Sequence, residues 1–530
     1  MDIAMTAAAI IASVLVARYY LHMFQLESYQ LDGYIRWLKK HSEKHLGWTL
    51  NIGVGATAAY YILALFFNLF MGAAAWTVSG ILTVLGFLAG AFLLDRSLHA
   101  MKEKKPLVYT ARMKRLYAAV ALVAVLAGLV IHGIGLPGVL LFVGVPYTAL
   151  AAGFIMQPVE KAISNYYLND AKRMLEERKD LIKIGITGSY GKTSTKFILA
   201  TILAEKYNVL ATPSSFNTPM GLTRVIREQL AAHHQVFLAE MGARHVGDIR
   251  ELVDLVHPTY GVLTSVGAQH LETFGSIEKV ADTKFELIEG LPADGVSFFA
   301  ADGGEVDKLY ERAKGKKYRA GLKGALLDMR ADDVEVSYAG STFVLRNSLG
   351  EKITCTTRLL GRHNIQNIVL ACSVARQLGL TMEQIACGVS KIQPVEHRLQ
   401  LIPGANGVTV IDDAFNSNPV GAKAALDVLS GFPGRHVVVT PGMVEQGEQE
   451  DEINRSFGAQ MAYACDVAIL IGKKHTAPIV EGLLNGGMAQ DMIYVVNSLD
   501  EATAILGQIG QPGDTVLFEN DLPDNYSEKQ

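Results

Sequence analysis

Apolar residues are spread unevenly along this chain. They crowd into five runs, at residues 3–24, 52–76, 78–94, 116–134 and 137–156, each close to the ~20 residues a helix needs to cross a bilayer. Buried helices of a soluble core are the competing reading, and five such runs in succession weigh against it. The pattern predicts a five-span helical transmembrane domain over residues 1–157. Residues 158–179 then read as a polar helical connector, with Pro158 at its start and Val159, Ile163, Tyr166, Tyr167, Ala171 and Leu175 at helical spacing. Beyond it the period changes. Short apolar runs at 181–186, 236–239, 260–266, 408–411, 436–440, 467–471 and 515–518 read as strands between helical stretches. They predict a central α/β domain over 180–395, with β-rich material near 334–356, and a Rossmann-like α/β domain over 396–530.

Loop charges orient the membrane part. The first connection carries Arg36, Lys39, Lys40 and Lys44. The third carries Arg96, Lys102, Lys104, Lys105, Arg112, Lys114 and Arg115, while the connections at 72–77 and 132–136 carry no Lys or Arg. Basic loops stay inside. The expectation is therefore a multi-pass plasma-membrane protein with its N-terminus outside and its catalytic domains cytoplasmic. Arg18, beside Tyr19 and Tyr20, reads as the inner end of the first span, its charge snorkelling to the interface. No positive charge precedes the first run, which argues against a cleaved signal peptide. The apolar runs contain no Asp, Glu or Lys of the kind that marks ion routes, so an anchor is the plainer reading than a transporter.

Composition narrows the picture further. The chain of 530 residues is 50% hydrophobic with a formal charge of −4, which gives no electrostatic case for nucleic acid. Cys355, Cys372, Cys387 and Cys465 are scattered without a CxxC pair, as suits reduced thiols and not a zinc ribbon.

The strongest chemical signal is Thr187-Gly-Ser-Tyr-Gly-Lys-Thr-Ser194, which follows the strand at 181–186 and precedes a helical run at 195–206. Strand, glycine loop and helix are the parts of a phosphate cradle. Gly188 and Gly191 let backbone N–H groups turn toward phosphates, with Ser189 and Tyr190 between them. Lys192 is placed to neutralise the β- and γ-phosphates, and the Thr193 hydroxyl to hold Mg²⁺, with Ser194 following. Only two residues separate the glycines, where the usual loop has four.

This form of the loop is similar to that of the Mur ligase superfamily, ATP-dependent amide-forming enzymes of cell-wall precursor synthesis. The resemblance continues in order through Ser214-Ser-Phe-Asn-Thr-Pro-Met-Gly221, the family's acceptor-side loop; Phe237-Leu-Ala-Glu-Met-Gly-Ala243, its metal strand; the segment 263–275; Thr283-Lys-Phe-Glu286; Gly361-Arg-His-Asn-Ile-Gln-Asn367, its adenine motif; His397-Arg398; and Ile411-Asp-Asp-Ala-Phe-Asn-Ser-Asn-Pro419. The segments at 412–419 and 441–448 are most similar to the branch that adds D-alanyl-D-alanine to a UDP-linked muramoyl tripeptide.

The family's chemistry turns a carboxylate into an acyl-phosphate, which an amine then displaces. Two anions must meet, so the site needs cations and metal. The resemblance implies ATP and Mg²⁺, with Lys192, His270, Lys284 and Arg398 in catalysis. It implies Thr193, Glu240, His270 and a carbamylated Lys284 around metal. It implies Asn364 and Asn367 at adenine, Arg398 at the γ-phosphate, Asp412 or Asp413 on the ribose or phosphate side, and Asn217, Thr218 and Asn416 toward substrate. Simpler roles stay open. Glu240 can be a solvated strand end, Asn364 the N-cap of a helix at 365–378, and the Asp412–Asp413 pair a plain turn.

The departures bear on substrates. Five apolar runs stand where the family has its UDP-binding domain. Phe415 replaces a tyrosine, Phe299-Ala-Ala-Asp302 replaces an Asn-Ala-Asp-Asp segment, and the stretch 513–526 replaces a Lys-Gly-Ser-Arg segment that faces the incoming dipeptide. The expected partners are therefore a muramoyl peptide carboxylate, soluble or lipid-linked, and an amino acid or dipeptide. A membrane-bound poly-γ-glutamate-type synthetase and an ATP-driven transporter or scaffold are the alternatives.

Overall fold

The computed structural model describes residues 2–521 apart from 72–73, 101–105, 215, 268–270, 325, 405–406, 415–417 and 445–448. The chain forms two compact units, Met1–Tyr166 and Tyr167–Gln530.

The first unit is helical: α1 (Asp2–Leu26), α2 (Leu31–Lys40), α3 (Ser42–Met71), α4 (Ala74–Ala100), α5 (Ala111–Gly133), α6 (Val139–Val143) and α7 (Val145–Glu177). Small residues on α1, among them Ala8, Ala9 and Ala12, are fully buried and let α4 and α5 close on it. Charge ties the helices as well. Arg18 of α1 meets Asp95 of α4 at 2.7 Å, and Arg115 of α5 grips Glu160 of α7 through two parallel bonds of 2.7 and 2.8 Å.

Four stretches are long and apolar enough to cross a membrane: Ile3–Leu26, Gly47–Phe67, Trp76–Leu98 and Ala111–Gly133. The fifth expected span, 137–156, is not one continuous helix. Gly135, Pro137 and Gly138 end α5, the five-residue α6 stops at Gly144, and Pro146 sits in the first turn of α7, where a missing N–H costs nothing. Helix α7 then runs through Pro158, so that proline lies inside a helix instead of opening a connector. The connecting segment after α1 also differs from the expected plain loop. It folds as α2, which buries Gly33, Tyr34 and Leu38 and exposes Arg36, Lys39 and Lys40.

The second unit begins with a nine-stranded sheet: β1 (Ile182–Thr187), β2 (Val209–Ala211), β3 (Val236–Glu240), β4 (Tyr260–Leu263), β5 (Val296–Ala300), β6 (Lys316–Gly321), β7 (Met329–Ser337), β8 (Gly340–Asn347) and β9 (Lys352–Thr357). Their order is β2-β3-β1-β4-β5-β6-β7-β8-β9, parallel as far as β7 and antiparallel beyond. Strands β3 and β5 are buried at every position, as a sheet covered on both faces requires.

One face is covered by α8 (Lys192–Leu203) and by the later helices α14 (Arg362–Gln377) and α15 (Met382–Lys391). The other is covered by α9 (Pro219–Gln229), α10 (Asp248–Val256), α12 (Ile277–Glu289) and α13 (Glu305–Arg312), with the short α11 (Leu271–Phe274) beside α12. The strand order reverses around β1, whose neighbours β3 and β4 lie on opposite sides. Crevices for ligands open at such a reversal, outside the carboxyl ends of the strands, and the glycine loop leaves β1 there.

A second sheet holds β10 (Gln400–Pro403), β11 (Thr409–Asp413), β12 (His436–Thr440), β13 (Val467–Ile471), β14 (Ile493–Val496) and β15 (Thr515–Glu519), in the order β10-β11-β15-β12-β13-β14. All pairs are parallel except β10 with β11. Helices α16 (Pro419–Leu429), α17 (Glu450–Ala464), α18 (Lys473–Asn485) and α19 (Leu499–Ile509) complete this Rossmann-like α/β domain. Register sets Asp413 beside Glu519, and Thr440 donates to the Glu519 carboxylate at 3.1 Å, so buried polar groups gather at the carboxyl edge of this sheet too.

Candidate active site

The glycine loop is built against the segment that follows β4. Ser189 N–H donates to the Ser265 carbonyl at 2.8 Å and Tyr190 N–H to Ser265 Oγ at 2.7 Å. Thr264 Oγ1 donates to the Tyr190 carbonyl at 2.5 Å. A Cβ at Gly188 would collide with Thr264 Oγ1, and one at Gly191 would lie 2.8 Å from Asn367 Oδ1. Gly191 also caps α8 with φ +79°, where side chains are strained. Lys192 opens α8 and arches back over the loop, donating to the Gly188 and Ser189 carbonyls at 2.7 and 2.9 Å. Burial lowers its pKa from 10.5 to about 8; Glu240 pulls it up and Arg398 pushes it down. Ser194 is buried in the first turn of α8.

At the end of β3, Glu240 is buried and every contact of its carboxylate counts. Oε1 accepts from Thr193 Oγ1 at 3.0 Å and from Asn217 Nδ2 at 3.1 Å, while Oε2 accepts from Lys196 Nζ at 3.0 Å. Thr193 and Glu240 are both expected at the metal, and they meet. A solvated strand end is excluded, since Glu240 is 1% exposed. Sequence reasoning misses Lys196. An isolated lysine is usually a solvated charge; the available signal is its place one helical turn after Lys192, on the face of α8 that also turns Leu199 and Leu203 inward.

Lys284, on α12, is 2% exposed. Burial lowers its pKa to about 7, the Lys192 charge acts in the same direction, and Asp248 and Glu286 oppose it. Asn217 is held by the Glu240 bond and by its own carbonyl, which accepts from Gly242 N–H at 2.9 Å. Thr218 caps α9, accepting from Gly221 N–H at 3.3 Å, which leaves its O–H free of the capping bond. His270 and Asn416 lie outside the described residues.

The first turn of α14 removes the capping alternative for Asn364. Gly361 is the N-cap, and Asn364 lies inside the helix, its Nδ2 donating to the Leu360 carbonyl at 2.8 Å. Asn367, one turn on, faces Gly191. His363, which sequence reading passes over inside its motif, has an enclosed Nδ1 with no hydrogen-bond partner. Burial, aided by the Arg398 charge, lowers its pKa to about 4 and keeps the ring neutral.

Arg398 sits between two residues of left-handed backbone, His397 at φ +58° and Leu399 at φ +47°, a conformation that costs energy for side-chain-bearing residues. The Asp pair clamps both flanks. His397 Nδ1 lies 2.7 Å from Asp412 Oδ2, and Leu399 N–H donates to Asp413 Oδ1 at 3.1 Å. Arg398 in turn acts electrostatically on Lys192, Lys196 and His363, and its own pKa is lowered by burial while Asp413 and Glu240 raise it. The Asp412–Asp413 pair is therefore more than a turn: it sets the backbone that presents Arg398.

A phosphate cradle at the switch point of a parallel sheet, with a hydroxyl and a carboxylate converging beside it, defines a nucleotide-dependent group-transfer enzyme. Residues 186–375 match the Mur ligase middle domain and residues 397–519 the Mur ligase, glutamate ligase domain. The chain is 30% identical over 352 residues to the UDP-N-acetylmuramoyl-tripeptide--D-alanyl-D-alanine ligase of Bacillus subtilis strain 168, covering 66% of this chain and 75% of that one. It is 32% identical over 362 residues to the enzyme of that name from Mycobacterium tuberculosis H37Rv, covering 63% and 69%. Among solved structures it resembles MurF from Acinetobacter baumannii, with a TM-score of 0.61 and 25% identity over 69% of this chain and 79% of that one. It shares the fold of the Thermotoga maritima MurF in complex with ADP, with a TM-score of 0.61 over 68% and 80%. The chain belongs to the Mur ligase family. It is an ATP-dependent, ADP-forming ligase that makes amide bonds.

The residues present fit ATP and Mg²⁺. The loop glycines leave a cradle that a Cβ would fill, Lys192 supplies a cation, and the orphaned Nδ1 of His363 awaits a polar partner. Among the described residues no three His, Cys, Asp or Glu side chains cluster as a metal cage. Mg²⁺ needs none: one carboxylate, a hydroxyl, phosphate oxygens and waters complete its shell. Bound there, ATP supplies the phosphoryl group that activates a carboxylate and Mg²⁺ offsets the phosphate charge. In that arrangement Lys192 and Arg398 would hold the anions together and Thr193 and Glu240 would orient the metal side, within a largely buried site.

One pH effect follows from Asp413. Burial raises its pKa from 3.8 to about 6 against the pull of Arg398 and the Leu399 N–H. A raised acid pKa stabilises the fold most fully below pH 3.8, and that contribution is lost as pH rises through about 6. The charge that braces Arg398 appears over the same window. The kcat/KM for ATP should therefore fall as pH drops through about 6, and Asp413→Asn should remove that limb while leaving stability flatter between pH 4 and 7. A variant whose pH profile matches wild type would exclude Asp413 from the effect.

Proposed function

We propose that this ligase is anchored in the plasma membrane and joins D-alanyl-D-alanine, or a single amino acid, to the free carboxylate of a muramoyl peptide, with a lipid-linked form as the preferred acceptor. The relatives above carry the first half of this reading, since their names state a muramoyl tripeptide and D-alanyl-D-alanine. The observation that carries the second half is the unit of apolar helices directly preceding the central domain. Apolar helices and catalytic domains in one chain put a membrane-held acceptor at high effective concentration.

The purified protein in nanodiscs, with ATP, Mg²⁺ and D-alanyl-D-alanine or single amino acids, should release phosphate faster with the lipid-linked muramoyl peptide than with the free UDP-linked one. Efficient use of the soluble acceptor alone would return the protein to the reaction its relatives are named for.

In this reading residues 137–156 complete a fifth crossing as a broken helix, α6 followed by the first turns of α7. The basic face of α2 then lies inside, the N-terminus outside and the catalytic unit in the cytoplasm, where ATP is. Reporter fusions at Met1 and after Gln530 should report opposite sides. The same side for both would make 137–156 re-entrant and end the five-crossing scheme.

Lys284 is read as carbamylated. Addition of CO₂ to its neutral amine, with loss of a proton, turns a buried cation into an anionic oxygen ligand in a site otherwise rich in positive charge. Burial that disfavours the ammonium supports this. Lys284→Ala should lose about 10²-fold or more in kcat and regain part of it with added formate or acetate. Full activity in the unrescued variant would remove Lys284 from the site.

A further inference from the structure

Lys196 has no place in the roles assigned above, yet it is the fully buried cation nearest the metal carboxylate. Its Nζ bridges two elements, donating to Glu240 Oε2 at 3.0 Å and to the carbonyl of Ser214. Ser214 and Asn217 belong to the same loop between β2 and α9. Asn217 reaches the opposite oxygen of the same carboxylate, Oε1, at 3.1 Å, where Thr193 from the phosphate side also bonds at 3.0 Å. The loop is thus fastened to Glu240 twice, once through each oxygen. A buried ion pair contributes little net stability over a well-packed apolar pair, and simple neutralisation of Glu240 would not require Lys196 to reach Ser214 as well.

We propose that Lys196 is a positioning residue that fastens the acceptor-side loop to the metal carboxylate. It holds Oε2, which turns Oε1 toward Asn217, Thr193 and the metal side. This rests on the ligase reading in one respect, that the loop at 212–218 serves the acceptor. Two effects of opposite sign follow. Without Lys196 the loop loses one of its two fastenings. The carboxylate also loses a neighbouring positive charge that opposes cation binding, so its pull on a divalent metal strengthens. General loosening of the fold would weaken both loop and metal together.

The test uses full-length protein in nanodiscs, comparing wild type, Lys196→Met and Asn217→Ala, with thermal melts to confirm folding. Hydrogen exchange of the peptide covering 211–221, measured without metal or nucleotide, should rise about 10-fold in both variants, while exchange in α10 stays unchanged. Mn²⁺ binding in the presence of ADP, read by electron paramagnetic resonance, should tighten about 3- to 10-fold in Lys196→Met. With the lipid-linked muramoyl peptide as probe, the acceptor KM should rise about 10-fold and the ATP KM less than about 3-fold. Should the methionine variant not fold, Lys196→Gln is read in the same way. Wild-type loop exchange in a folded Lys196 variant, or weaker Mn²⁺ binding, overturns the proposal. Wild-type protein that releases no phosphate with any acceptor overturns the ligase reading instead, and the exchange and Mn²⁺ results still decide the role of Lys196.

Discussion

A buried carboxylate has to be answered from every side, and Glu240 is the point where that demand organises the catalytic unit. It ends β3 at 1% exposure, so its charge is tolerable only if donors converge on it. They come from two elements: Thr193 and Lys196 from the helix behind the glycine loop, and Asn217 from the loop after β2. Meeting this requirement fixes α8 against β3 and therefore fixes the glycine loop at the mouth of β1. The phosphate cradle and the loop on its far side are positioned by one group.

The wider site carries an excess of positive charge. Lys192, Lys196, Lys284 and Arg398 are all partly or fully enclosed; Glu240 acts on Lys192, Lys196 and Arg398, Asp413 on Arg398, and Asp248 and Glu286 on Lys284. Burial depresses the proton affinity of each, and a neighbouring cation adds to this at the three lysines. Such a store of unbalanced charge suits a reaction in which triphosphate and carboxylate must approach one another. The same excess explains why strained backbone is retained at His397 and Leu399: the clamp of Asp412 and Asp413 holds Arg398 toward a region that its neighbours' charges would otherwise repel.

Strands and the phosphate loop are legible in the sequence because their signals are local. A run such as Val236–Glu240 is apolar at every position up to its last, and the glycines sit beside the lysine they serve. Pairings between distant segments are not legible in this way. Lys196 looks like any solvated lysine until β3 supplies Glu240, and Asn364 looks like a cap until Gly361 takes that position. Thr218 also caps α9, a role that the resemblance does not disclose. The run at 137–156 has the hydropathy of a span, yet hydropathy is blind to Gly144 and Pro146, which divide it. The amphipathic α2 is hidden because its basic residues read equally well as loop charges.

The left-handed residues around Arg398 have a consequence for any effort to make this enzyme more robust. Glycine at 397 or 399 would relieve the backbone strain, the kind of change that stability selections readily recover. At 397 it would also delete the imidazole that Asp412 holds, and at either position it would let the arginine sample many orientations. Thermal tolerance and ligation are set against each other at these two positions, so variants enriched by heat alone would carry an arginine that is present but poorly aimed.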